Sequence, residues 1–226
     1  MSLDFDSLNP DWCKVDSDVV GDYPFTFAAW INPDSLTGIV NAIIGISVDG
    51  ATNHQQAIFV WTGTTLAAAY CNDGSASGYA SSTTTISAGT WYHVSGVFAS
   101  STSRKIFINA VEEDENTTDV AHSASLDVSS MGAYLSSGTT PQTNISFNGK
   151  IAYPHIYNRA LNADEIAEIM HKPYSISDGL VAAWDTLSSF AAVTDIKDMS
   201  PGGNDIEGGT APTLSNVEPP VYFPNT

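Results

Sequence analysis

Positive charge is what this chain has least of: 7 Lys and Arg stand against 25 Asp and Glu in 226 residues, a formal net charge of −18. A surface of that sign repels phosphate backbones and anionic lipid, so nucleic acid and membranes are not expected as partners. It suits basic partners, cations such as Ca²⁺ or a salty medium. Cysteine is nearly absent too. Cys13 and Cys71 are too few for a disulfide framework and match no metal or redox spacing, so two buried thiols are expected, with a single bridge as the alternative. No run approaches the roughly 18 apolar residues of a membrane span. The opening MSLDFDSLNPDW has neither a basic nor an apolar leader region, so no signal peptide is expected and the chain is expected to be made and folded in a cytosol.

Only 14% of residues are charged, while 42% are apolar and 10% aromatic. The polar surface is therefore largely Ser, Thr, Asn and Gly, the composition of a β protein. Most of the chain reads as short strands separated by Gly, Asn, Asp and Ser. FTFAAWI places Phe25, Phe27, Ala29 and Ile31 on one face in strict alternation and Thr26, Ala28 and Trp30 on the other. IVNAIIGISV, QAIFVWT, TLAAAYC, GYASSTTTI, AYLSS and ISFNGKIAYPHIY continue the series. Some ten to thirteen such strands exceed what one open sheet holds without curling, so a two-sheet antiparallel sandwich is predicted. One helix interrupts it near 162–171: Asn162 is a good N-cap, Glu165 completes a capping box, and Ile166, Ile169 and Met170 form the stripe that must dock on the sandwich.

After Pro173 the texture becomes loop-rich. The apolar stretch LVAAW around Trp184 nevertheless needs a sheet to join, which predicts one domain over 1–226 with residues 174–226 packing back on the sandwich and the Trp184 strand beside the first strand.

In WYHVSGVF the period-two pattern sets Tyr92, Val94, Gly96 and Phe98 against Trp91, His93, Ser95 and Val97, and a Ser/Thr turn leads into KIFINAV. This pair of strands resembles the central hairpin of LamG-like domains in the concanavalin A-like lectin and glucanase superfamily. SLDFD resembles that family's opening strand, YPFTFAAWINPDSLTG its strand ending in Trp-x-x-Pro, and FNGKIAYPHIYNRALNADEIAEI its closing strand and helix. The resemblance covers roughly residues 1–172 and implies a jelly-roll sandwich. Two departures stand out. Ala110 occupies a turn position where the family commonly has Gly, and the 174–226 segment resembles one that usually precedes LDFD.

His93 has the chemistry of a general base, but no Ser or Cys nucleophile motif surrounds it and the resemblance implies a packing role. Glucanases place acid and nucleophile on one strand face about 5 Å apart. The acidic run EEDEN alternates Glu112 and Asp114 but offers Asn116 and Thr117 where a further carboxylate is needed, so a solvated charge run is expected and no enzyme. Ca²⁺ is a candidate at the rim if the termini meet. Asp4, Asp6, Asp16 and Asp18 lie near one terminus and Asp195, Asp198, Asn204 and Asp205 near the other, although Asp and Asn are also ordinary turn residues. Sugar binding needs an exposed aromatic platform, for which Trp12, Trp61, Tyr70 and Tyr79, at or near predicted strand ends, are the candidates.

A non-catalytic structural or recognition module is therefore expected. The resemblance implies a bacteriophage virion-surface role, as capsid decoration or a fibre-associated protein, with other virion proteins as partners and self-association open. The alternative is a lectin-like carbohydrate-binding module, with or without Ca²⁺, for adhesion to host or other glycans.

Overall fold

The computed structural model describes residues 1–6, 11–50, 53–123, 126–134, 144–186 and 191–221. Its strands, in chain order, are β1 (Ser2–Phe5), β2 (Trp12–Val15), β3 (Phe25–Pro33), β4 (Val40–Ser47), β5 (His54–Trp61), β6 (Leu66–Asp73), β7 (Ser77–Thr85), β8 (Tyr92–Ser100), β9 (Ser103–Ile108), β10 (Val111–Asn116), β11 (Val128–Met131), β12 (Gly149–Tyr157), β13 (Leu180–Ala183), β14 (Gly208–Thr210) and β15 (Thr213–Ser215). The helix α1 (Ala163–His171) follows β12. All strand pairings are antiparallel. One sheet runs β10-β9-β8-β3-β12-β1-β15, with β13 also on β12, and the other runs β14-β2-β11-β4-β5-β6-β7.

The core lies between the sheets. Phe25, Phe27, Ala29 and Ile31 of β3 point inward as their alternation predicts, and Phe25 stacks on Phe98 of β8 with ring centroids 4.5 Å apart. The sheets come close at Gly96, where an added Cβ would lie 2.5 Å from Cγ2 of Ile58 in the opposite sheet. Every residue of β3 is buried, because the outward face of this central strand is covered as well. Ile166 and Ile169 of α1 pack there with Ala28, Val97, Phe107 and Tyr157. The helix begins where its sequence dictates: Asn162 Oδ1 accepts from Glu165 N at 3.0 Å and Glu165 Oε2 accepts from Asn162 N at 2.9 Å. That reciprocal cap satisfies two donors which the first helical turn leaves without partners.

The C-terminal segment returns to both sheets. β13 pairs with β12, β14 with β2 and β15 with β1. The strand beside the first is thus β15 rather than the one preceding Trp184. β1 and β13 share one edge of β12 end to end, meeting it at Gly149–Ile151 and at His155–Tyr157 respectively, with a bulge at Tyr153 and Pro154 between them. The strand expected at AYLSS also shifts. Ala133 and Tyr134 are irregular and residues 135–137 lie outside the described residues, while the strand is β11, VSSM. Its serines are wholly buried because their hydroxyls donate to backbone carbonyls, Ser129 to Ser17 at 2.7 Å and Ser130 to Gly45 at 3.4 Å.

Candidate functional site

The second sheet carries aromatics on its outer face. Along β5, Ile58 and Val60 enter the core, so Phe59 and Trp61 point outward. The same alternation turns Leu66, Ala68 and Tyr70 of β6 and Tyr79 and Ser81 of β7 to that side. Register places Ala68 opposite both Phe59 and Ser81 and pairs Tyr70 with Tyr79. Ala68 is wholly buried and contributes only a methyl group, which leaves room for Trp61 and Tyr79 to lean towards each other from the strands on either side. Their rings meet edge to face, centroids 6.0 Å apart at 68°. Phe59 buttresses Trp61 from behind at 4.7 Å and 84°, and Tyr70 at 5.7 Å.

The two rings wall a cleft of about 480 Å³, completed by Gly63, Thr64, Leu66 and Ser81. Tyr79 is 49% exposed. A cleft with aromatic walls and hydroxyls beside them offers an apolar face and a few donors and acceptors to a ligand, and its lining among the described residues includes no carboxylate, imidazole or thiol.

Of the expected aromatic platform residues, Trp61 and Tyr79 are brought together, with Tyr70 behind them donating no wall; its hydroxyl accepts from Asn72 Nδ2 at 3.0 Å. Trp12 does not join them. It sits on β2, is 6% exposed and packs against Val128 and Ala133, so it presents no face to a ligand. Thr64 and Ser81 escaped the sequence reading because only sheet order shows that they border the rings.

The segments near the two termini come together, through β1–β15 pairing and Met1 N–Glu218 at 3.1 Å. Among the described residues no group of three or more His, Cys, Asp or Glu is arranged to hold a metal ion. Asp4 and Asp6 line a second cleft with Asp11, Asp34 and Asn148, where Lys150 Nζ already supplies the positive charge, 2.7 Å from Asp34 and 3.6 Å from Asp4. Burial lifts the Asp4 carboxyl above its usual range despite Lys150, and likewise that of Asp11. Asp195, Asp198 and Asn204 are tied into their own loop. Asp195 accepts from the Ala191 and Ala192 amides, and Asp198 from those of Ala183, Ser200 and Asn204 and from the Ser200 hydroxyl. Asn204 Nδ2 donates to Val181 O, Asp205 accepts from Asp198 N, Asp16 pairs with Lys14, and Asp18 caps the Val20 and Gly21 amides. These are the turn-forming roles ordinary for Asp and Asn.

His93 is buried under α1, 1% exposed, with its backbone bonded to the turn residue Asn109 on both sides. Desolvation there, with His155 and His171 facing it, pushes its pKa down to about 3. The EEDEN run is not simply solvated. Glu112 pairs with Lys105, but Glu113 accepts from the amides and hydroxyls of Thr83 and Thr84, and Asp114 from the Ser81 amide at 2.9 Å. Cys13 and Cys71 are free, buried thiols, and burial pushes Cys71 up to about 11.

Two antiparallel sheets, a helix closing one outer face and an open aromatic cleft on the other define a jelly-roll sandwich of the concanavalin A type. A laminin G-type family model, described as the concanavalin A-like lectin/glucanases superfamily, matches residues 9–167, and the chain belongs to that superfamily. No curated protein matches the chain in sequence. Solved structures show the same fold at low identity. A candidate carbohydrate binding protein from Bacteroides ovatus ATCC 8483 is 16% identical with a TM-score of 0.65, over 94% of this chain and 59% of that one, so the chain spans under two thirds of that relative's length. The Ruminococcus gnavus IT-sialidase CBM40 bound to alpha2,3 sialyllactose is 13% identical, TM-score 0.57, over 67% and 84%. Domain 4 of AbnA, an extracellular arabinanase from Geobacillus stearothermophilus in complex with arabinotriose, is 19% identical, TM-score 0.53, over 69% and 70%.

Proposed function

We propose that this chain is a non-catalytic carbohydrate-binding module that holds a saccharide against Trp61 and Tyr79. The observation that carries this reading is the cleft between those two rings. The C–H face of a pyranose stacks on an aromatic ring while its hydroxyls bond to polar groups at the edge, and Thr64 and Ser81 are polar residues lining the same cleft. Sugar-binding relatives on the same fold support the reading; fold alone does not decide it, since one sandwich hosts many functions. No carboxylate, imidazole or thiol is among the described residues lining the cleft, which supports binding over catalysis. A glycan array, with and without Ca²⁺, tests the reading. Replacement of Trp61 or Tyr79 by Ala is expected to weaken the captured glycans by about tenfold or more, roughly 1.4 kcal/mol. A blank array, or binding indifferent to both replacements, overturns the reading.

A second reading, a place on the surface of a tailed-phage particle, follows from the sequence resemblance and is favoured by the net charge of −18, which keeps a particle coat soluble. Density for the chain on purified virions is the observation that decides it.

A further inference from the structure

We infer that the Trp61–Tyr79 cleft selects neutral saccharides and rejects sialylated or uronate-bearing ones. This rests on the carbohydrate-binding reading of the same cleft and goes beyond it. Relatives sharing the fold hold either kind of ligand: one is bound to sialyllactose, which carries a carboxylate, and another to arabinotriose, which carries none. The lining, not the fold, must choose. Here the lining is Trp61, Gly63, Thr64, Leu66, Tyr79 and Ser81, and not one of these side chains is charged.

A sugar carboxylate is ordinarily matched by a charge-assisted bond from Arg or Lys. This chain has only seven such residues, and none of them is among the residues lining the cleft. Lys105 is held by Glu112 and Glu115, Lys150 by Asp34 and Asp4, and Arg159 by Glu165 and Asp178. Arg104 is wholly buried, its guanidinium donating to Asn116, Ser101 and Thr118. Carboxylates bond the backbone at and next to the lining. Asp114 accepts the amide of Ser81, itself a lining residue, at 2.9 Å, and Glu113 accepts that of Thr83 at 2.7 Å. An anionic ligand therefore enters without a counter-charge, beside carboxylates, on a surface of net charge −18. A neutral pyranose meets only rings and uncharged polar groups.

The test is an array of matched pairs, each neutral oligosaccharide beside its sialylated or uronate counterpart, for instance lactose with 3′-sialyllactose. The full chain, Trp61→Ala, Tyr79→Ala and Thr64→Arg are compared, each checked by its thermal melt. The acidic member of each bound pair is expected to be weaker by about tenfold at low ionic strength. Raising the salt to about 0.5 M narrows that gap, because exposed charges are then screened. Thr64→Arg, which adds a cation to the lining, brings the acidic member towards parity. Acidic members that bind as tightly as their neutral parents, and lose binding with Trp61→Ala, overturn this inference and leave the carbohydrate reading intact. A gap that ignores both salt and Thr64→Arg overturns the charge basis of selectivity. An array without any Trp61-dependent ligand removes the carbohydrate reading and this inference together.

Discussion

Asn109 and Ala110 connect β9 to β10 with φ of 50° and 66°, and Val111 pairs directly with Ile108. A two-residue hairpin turn with positive φ at both positions matches the right-handed twist of its strands, and Asn tolerates that conformation where Ala does not. The Ala110 methyl group costs about 1–2 kcal/mol there, from its approach to the following carbonyl oxygen. Gly at this position removes that cost but adds unfolded-state entropy of about 0.4–1 kcal/mol. Ala110→Gly is therefore expected to stabilise the protein by about 0.5–1 kcal/mol, seen as a rise in Tm of about 1–4 °C in calorimetry. An unchanged or lower Tm would mean that the partial packing of the Ala110 methyl beneath α1 outweighs its backbone strain. The departure from the family's usual Gly is visible in the sequence; its sign becomes calculable only once φ is known.

At the next level up, β10 shows what an acidic strand does for its neighbours. β7 ends its sheet, and an unpaired edge invites pairing with another chain. Here the register of β9 and β10 slips between Glu112 and Asp114, a bulge that turns the Glu113 carboxylate onto the Thr83 and Thr84 amides of β7. The two sheets are thus laced along one side by carboxylates. Partial desolvation opposes ionisation, but hydrogen bonds from Thr84 and Thr83 win and hold Glu113 below the usual glutamate range. Its contribution is present above the unfolded value near pH 4.5 and is lost as pH falls through the lower folded one. Glu113→Ala is expected to cost about 1–2 kcal/mol and to speed amide exchange at Thr83 and Thr84, both measurable at neutral pH. Exchange unaltered at those amides would show that the lacing is not what protects the edge. None of this was legible in EEDEN, whose composition reads as a solvated run. What was legible were elements whose local and tertiary demands agree: the inward Phe25–Ile31 face of β3 and the capped α1 helix. β11 was missed because its buried serines contradict the apolar pattern until their backbone partners are placed, and β15 because three residues carry almost no period.

Burial of histidines on the helix-covered face gives the whole molecule an acid dependence. His93 and His155 are each 1% exposed, and desolvation pushes both down to about 3, with His155 and His171 adding to the effect on His93. Neither ring nitrogen of His155 has a partner among the described residues, and its ring meets the edge of Tyr174 at 5.5 Å, so nothing there stabilises a charged imidazole. The folded state keeps both neutral while the unfolded chain takes up protons below about pH 6.5. Depressed folded values mean that stability is full above the unfolded pKa and declines as pH falls from it towards the folded value. Integrated from pH 7.5 to 5.5, each histidine removes about 1.4 kcal/mol, together about 2.7. His122, also lowered by burial although Asp18 partly offsets it, acts in the same direction. The raised carboxyls of Asp4 and Asp11 act oppositely, by favouring the folded state when protonated, and the lowered Glu113 adds to the loss at still lower pH. For a chain of this length the histidines translate into a fall in Tm of about 5–11 °C between pH 7.5 and 5.5. His155→Gln should leave a lower Tm at neutral pH but remove about half of that fall. A Tm flat across this window would place water or a hydrogen-bond acceptor beside these rings and undo the assignment of the loss to them.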